Sequence, residues 1–268
     1  MRLLPVSEIN VDHTKAKEVE EIMKSTFRLI TFSREHYADD LLNTYLSSTT
    51  NLKELLSIKN AQMEAQDETE AEEYLINLKE TLLFVAKEIE NQVDFTSEVQ
   101  LFQLFRSTSP DSHENHPNRY RDKMVQIGSY LCPDPKQVPS LVTELLHNMN
   151  SIKNPIIKSI YFHHELIRIH PFIDGNGRTT RIADNWILMY NLYPPVFIRD
   201  NDDKANYVTT LSKSFALLEK EPLKWNNETL AFFEQEIERL KANCLLVYKA
   251  VKKIGEKRHE RHERDEIK

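Results

Sequence analysis

The chain has 268 residues, of which 40% are hydrophobic and 29% charged, a composition expected of a soluble globular protein. Its 35 Lys and Arg stand against 42 Asp and Glu, a formal charge of −7, the wrong sign for a general nucleic-acid binder. Cys132 and Cys244 are too few and too far apart for a zinc site or a disulfide framework. The opening MRLLPVSEINVD turns polar within a few residues and no apolar run reaches membrane-span length, so a cytoplasmic protein with no membrane association is expected.

Four glycines in the whole chain, with no regular alternation, predict a mostly helical protein. The length suits one domain, or a core domain with an N-terminal extension. Residues 14–60 read as helices, with Val19, Ile22, Met23, Phe27 and Leu29 as the apolar positions. An acidic run at 65–73 reads as a solvated helix start, continuing through Leu75, Leu78, Leu82, Val85 and Ile89. Ser97 and Gln100 have capping-box spacing for the next helix. The polar stretch 107–119, with two prolines, reads as a loop. A short hairpin is expected around Ile127 and Gly128, before Pro133 and Pro135.

A helix is expected over 139–149. Asn154 and Pro155 then make an N-cap and first-position pair for a helix over about 155–169. That segment is apolar on nearly every side and so should be buried. His170 precedes Pro171, which ends it. Another helix is expected from near Gly177 to about Asn191, and more at about 202–219 and 227–253. The tail KRHERHERDEIK reads as a solvated or frayed helix end.

The stretch IHPFIDGNGRTTRI, residues 169–182, places two of the four glycines around one asparagine between two helices. Gly175 and Gly177 permit positive φ and close approach of a ligand to the backbone. The amides of 175–178 then point out of a helix start, where free N–H groups and the helix dipole favour an anion. Arg178 and Arg181, three apart, share a helix face and can fork onto phosphate oxygens. Asp174 beside such a site makes sense with a divalent cation between carboxylate and phosphate. His170 is the natural proton acceptor. A P-loop GxxxxGK[ST] is absent, Thr180 stands where a dinucleotide fingerprint needs glycine, and Arg168 stands where HExxH needs histidine. His163 and His164 read as structural.

With these residues stated, His170-Pro171-Phe172-Ile173-Asp174-Gly175-Asn176-Gly177-Arg178-Thr179-Thr180-Arg181 resembles the full signature of Fic domains, HPFx[DE]GNGRxxR. Asn118-Arg119-Tyr120-Arg121, the Ile127-Gly128 hairpin and the stretch to Pro139 resemble the family's flap region, and Asn206-Tyr207 with Leu211 its helix after the motif. The resemblance implies an all-α fold, a Fic-type helical bundle with a short β-hairpin flap beside the active site. It divides the chain into an N-terminal helical region (1–94), a Fic core (95–220) and C-terminal helices with a charged tail (221–268). It implies a protein adenylyltransferase that moves AMP from ATP to a Tyr, Ser or Thr hydroxyl of a target protein. His170 would be the base and Asp174 would hold Mg. Gly175, Asn176, Gly177, Arg178, Arg181 and Tyr207 would bind nucleotide. Arg178 would meet the β-phosphate and Arg181 the γ-phosphate. Ile127 and Gly128 would lie in the target-binding flap. Gly177 departs from the family's kinase branch, which carries Lys there. Removal of AMP, another phosphate-containing donor, and a nucleotide-binding regulatory module are the alternatives.

Many Fic proteins carry an inhibitory [ST]xxxE[GN] helix whose glutamate pairs with the second motif arginine, here Arg181. Thr50 and Glu54, within the segment 47–60, have that spacing, but Leu55 replaces Gly or Asn. Glu54 is therefore the candidate for a self-inhibitory residue, with an ordinary helix cap as the plain reading. A separate antitoxin chain, or no such brake, is the alternative, and a homodimer is compatible with the resemblance.

Overall fold

The structure, a computed structural model, describes residues 1–31, 68–115, 120–198 and 200–266. Its helices are α1 (His13–Thr31), α2 (Glu68–Glu90), α3 (Glu98–Thr108), α4 (Pro110–Asn115), α5 (Val138–Ser151), α6 (Pro155–Ile169), α7 (Asn176–Tyr190), α8 (Asn201–Lys220) and α9 (Asn227–Glu266). Strands β1 (Gln126–Ile127) and β2 (Tyr130–Leu131) pair antiparallel, Gln126 opposite Leu131 and Ile127 opposite Tyr130. Gly128 turns this hairpin with φ 58°, a conformation that costs glycine little. The all-α expectation holds, with the hairpin as expected.

Helix α6 is the axle of the fold. Asn154 caps it, its side-chain oxygen accepting from the amides of Ile156 and Ile157, and Pro155 takes the first helical position. Thirteen of its fifteen residues are buried. Helices α5, α7 and α9 pack around it, and α1 packs along α9. Such a helix must also bury polar groups, and these are paired, as buried charge requires. Glu165 accepts from Arg168 (2.7 Å), from His164 Nδ1 (2.8 Å) and from the Leu4 amide (3.2 Å). Burial works against the Glu165 charge, but Arg168 and His164 hold its carboxyl below the usual range. Burial also pushes His164 down, so it is neutral and its Nε2 accepts from Ser214 Oγ at 2.9 Å. His163 lies between Asp184 and the Tyr207 hydroxyl. Both histidines are buried and hydrogen-bonded through both ring nitrogens.

Several boundaries differ from expectation. Residues 107–119 are not simply a loop: α3 runs to Thr108 and α4 follows at once. Pro110 fits the first helical position, where its missing N–H costs nothing, and the His113 amide donates to Ser109 O. The C-terminal region is one 40-residue helix that runs past 253 without a break to Glu266, so the tail expected as a helix end is continuous with the helix before it. No proline interrupts it, and Lys252 and Glu256 pair one turn apart at 3.7 Å. The capping box at Ser97 and Gln100 is formed as its spacing predicts. Residues 32–60 of the expected N-terminal helices, with Glu54, lie outside the described residues, as do Asn118 and Arg119.

Asn154 also donates to Glu20 of α1 at 2.7 Å. Asn154→Ala is expected to cost about 1–2 kcal/mol. The check is a lower urea midpoint at unchanged slope; an unmoved midpoint contradicts the cap's role.

Candidate active site

The loop 170–175 joins α6 to α7 and carries most of the singled-out residues. Helix α6 ends because His170 turns left-handed, at φ 52° and ψ 64°. The residue before a proline was expected to leave the right-handed helical region, and here it does so into a region that few non-glycine residues occupy. Phe172 then dives into the core, stacked on Phe105 with ring centroids 3.9 Å apart. Gly175 is left-handed at φ 74° and caps α7. A Cβ there would lie 1.9 Å from Ser109 Oγ, so both conformation and space require glycine. Gly177 differs from expectation: it sits inside the first turn of α7, and positive φ is not its reason. A Cβ at Gly177 would meet Arg181 Nη1 at 3.1 Å, so the missing side chain makes room for that guanidinium.

Asn176 has a more local job than a direct ligand contact by its side chain. Its Oδ1 accepts from the Phe172 amide and its Nδ2 donates to Phe172 O, both at 2.8 Å. The amide group is buried and spent on closing the loop. No side chain caps the start of α7, so the first-turn amides from Asn176 onward remain for an anion.

Arg121 was missed as a site residue. Its buried guanidinium donates to the carbonyls of His170 (2.8 Å), Lys123 (2.8 Å), Pro133 (2.6 Å) and Ile169 (3.3 Å). Its own amide donates to Pro171 O at 2.9 Å. One cation thus fastens the turn at His170 to both ends of the hairpin. The sequence signal was the stretch Asn118-Arg119-Tyr120-Arg121, whose resemblance to the flap region marks the segment without giving Arg121 a role.

These elements enclose a cavity of about 350 Å³. His170, Asp174, Gly175–Arg178 and Arg181 line one side, Ile127 from the hairpin and Lys204, Tyr207 and Phe215 from α8 the other. The structure thus brings together His170, Asp174, Gly175, Asn176, Gly177, Arg178, Arg181, Tyr207 and Ile127. Gly128, at the hairpin turn, is not among the lining residues, and the Tyr207 hydroxyl is taken by His163 at 2.7 Å. Burial pushes the His170 imidazole down to about 4, the Arg121 charge adding to it and the Asp174 carboxylate opposing. The ring is therefore neutral near pH 7. Asp174, 68% exposed at its side chain, pairs with Arg178 at 3.0 Å. Tyr74 of α2 lies against the same arginine, its ring centroid 3.8 Å from the guanidinium carbon.

Among the described residues, no cluster of three or more His, Cys, Asp or Glu side chains could hold a metal ion, and no helix is long and apolar enough to cross a membrane. The donor set at Asp174 is one accessible carboxylate, which fits magnesium when phosphate oxygens and water supply the other ligands.

Residues 95–188 match the family model described as Fic/DOC family. The chain is similar to a protein adenylyltransferase Fic of Nematostella vectensis, 31% identical over 137 residues that make up 50% of this chain and 32% of that relative. It thus spans about a third of that protein's length. Among solved structures, a Fic domain containing signaling protein from Bacteroides thetaiotaomicron superposes with a TM-score of 0.67 at 19% identity, over 88% of this chain and 98% of that one. Fic-1 from C. elegans gives 0.63 at 18% identity, over 90% and 73%. At such identities the likeness is one of fold.

Because the folded imidazole titrates at about 4 against 6.5 for the ordinary group, its contribution to stability is complete above the higher value and is lost as pH falls through the lower one. Titration of the His170 ring followed by NMR, assigned with His170→Ala, is expected to give a midpoint near 4. A midpoint near 6.5 contradicts the buried neutral imidazole.

Proposed function

We propose that this chain, whose residues 95–188 match the Fic/DOC family model, is a protein adenylyltransferase, moving AMP from ATP to a Tyr, Ser or Thr hydroxyl of a target protein. The observation that carries this reading is the neutral, left-handed His170 facing the same cavity as an uncapped helix start and two arginines. A base, an anion hole and cationic arms in one enclosure are what nucleotidyl transfer asks of a protein, since positioning and charge neutralisation supply most of the catalysis.

In the proposed reaction His170 accepts the proton of the target hydroxyl. That oxygen attacks the α-phosphorus in line, the new phosphodiester forms, and pyrophosphate leaves. The first-turn amides of α7 cradle the phosphates, with Arg178 and Arg181 on the outer two. Asp174, paired with Arg178 in this structure, would be the carboxylate that holds magnesium, and the metal would supply neutralisation of the phosphate charge. The hairpin, fixed at both ends by Arg121, offers its edge to an extended segment of the target by strand addition. Glu54 is proposed as a brake acting on Arg181. A cytoplasmic location completes the reading.

The test uses purified protein, Mg and ATP labelled at the α- or the γ-phosphate, with a cell lysate as the source of target. Label is expected from the α position only, falling at least about 100-fold in His170→Ala. Label from the γ position overturns the reading in favour of kinase chemistry. Silence from both is followed by Glu54→Gly: activity gained identifies the brake, and continued silence favours another donor or a binding module.

A further inference from the structure

Helix α2 lies outside residues 95–188, yet it sends one side chain into the cavity. Tyr74 places its ring face under the Arg178 guanidinium, with the ring centroid 3.8 Å from the central carbon. Its hydroxyl donates to Glu70, one turn earlier on α2, which fixes the ring from behind. On the other side of Arg178, a single nitrogen, Nη2, donates to Asp174 Oδ2 at 3.0 Å.

These two contacts differ in kind. The ion pair with Asp174 occupies a donor and ends when that carboxylate turns to another cation. The ring contact uses the face of the guanidinium and leaves its in-plane N–H donors unspent. A guanidinium parked on a ring is oriented in advance and still able to fork onto phosphate oxygens. A long arginine otherwise loses rotamer freedom when it binds, and that cost weakens affinity.

Resting on the nucleotide reading above, we propose that Tyr74 is a positioning residue that holds the Arg178 guanidinium ready for the phosphates beyond the α-phosphate. The region before the family domain thereby contributes to discrimination between nucleoside triphosphate and monophosphate. Burial and the Glu70 carboxylate push the Tyr74 hydroxyl up to about 12, so the ring is neutral at working pH and its face attracts the cation.

The test is calorimetric titration of the whole chain, in Mg, with AMP and with the α,β-methylene analogue of ATP, which cannot donate AMP. Tyr74→Leu is expected to weaken the triphosphate analogue about three- to fivefold and to leave AMP unchanged. Tyr74→Phe keeps the ring and is expected to stay within about twofold of the parent. Tyr74→Met repeats the loss with a flexible apolar side chain, in case Tyr74→Leu does not fold. Equal weakening of AMP and the analogue would make Tyr74 a plain cavity wall and overturn the proposal, as would an unchanged analogue affinity in both ring-less variants. A parent chain that binds neither ligand overturns the nucleotide reading itself, and the role of Tyr74 with it.

Discussion

Arg121 places one buried cation on four backbone carbonyls, two from the end of α6 and one from each side of the hairpin. Much of the site depends on that set of bonds. The carbonyl of His170 can point at Arg121 because His170 is left-handed, and the left-handed turn aims the chain into Pro171 and Phe172. A strained conformation persists when its surroundings over-determine it. Here they do so through the guanidinium on one side and the stacked Phe172 and Phe105 rings on the other. The same cation adds to the burial that keeps the imidazole uncharged, so Arg121 bears on both the position and the protonation of the candidate base.

A second constraint acts at the start of α7. Asn176 closes the loop on Phe172 with a reciprocal pair of hydrogen bonds, and Gly175 lets Ser109 approach where a side chain would collide. The Thr108 hydroxyl meets that of Thr179 at 3.0 Å, tying α3 to α7. The helix start is therefore rigid while its amides stay uncapped. Such preorganisation lets an anion bind without paying to order its donors.

Most of the helices were legible because their signals are local. Asn154-Pro155, Ser97 with Gln100, and the apolar residues on nearly every side of α6 each state a boundary or a burial in a few residues. The motif residues from His170 to Arg181 were legible for the same reason: they lie within one loop and one helical turn. What was not legible depends on contacts across the chain. Three of the four carbonyls that define Arg121, those of Pro133, Ile169 and His170, lie 12 to 49 residues away in the chain, and no periodicity encodes that. Tyr74 reads as an ordinary position on an acidic helix until α2 packs beside α7. Gly177 was read for positive φ as well as for close approach of a ligand; it has no positive φ, and its missing Cβ leaves room for Arg181. Residues 107–119 read as a loop because their polar composition outweighed the helical fit of Pro110.

The central claim is that the cavity orients a triphosphate with its α-phosphorus toward His170. A crystal structure of the chain with Mg and the α,β-methylene analogue of ATP tests it most directly. The account predicts the α-phosphorus beside His170, within reach of a hydroxyl that the imidazole could deprotonate, and the outer phosphates on the start of α7 with Arg178 and Arg181. A nucleotide bound in the opposite sense, with its γ-phosphate against His170, would contradict it.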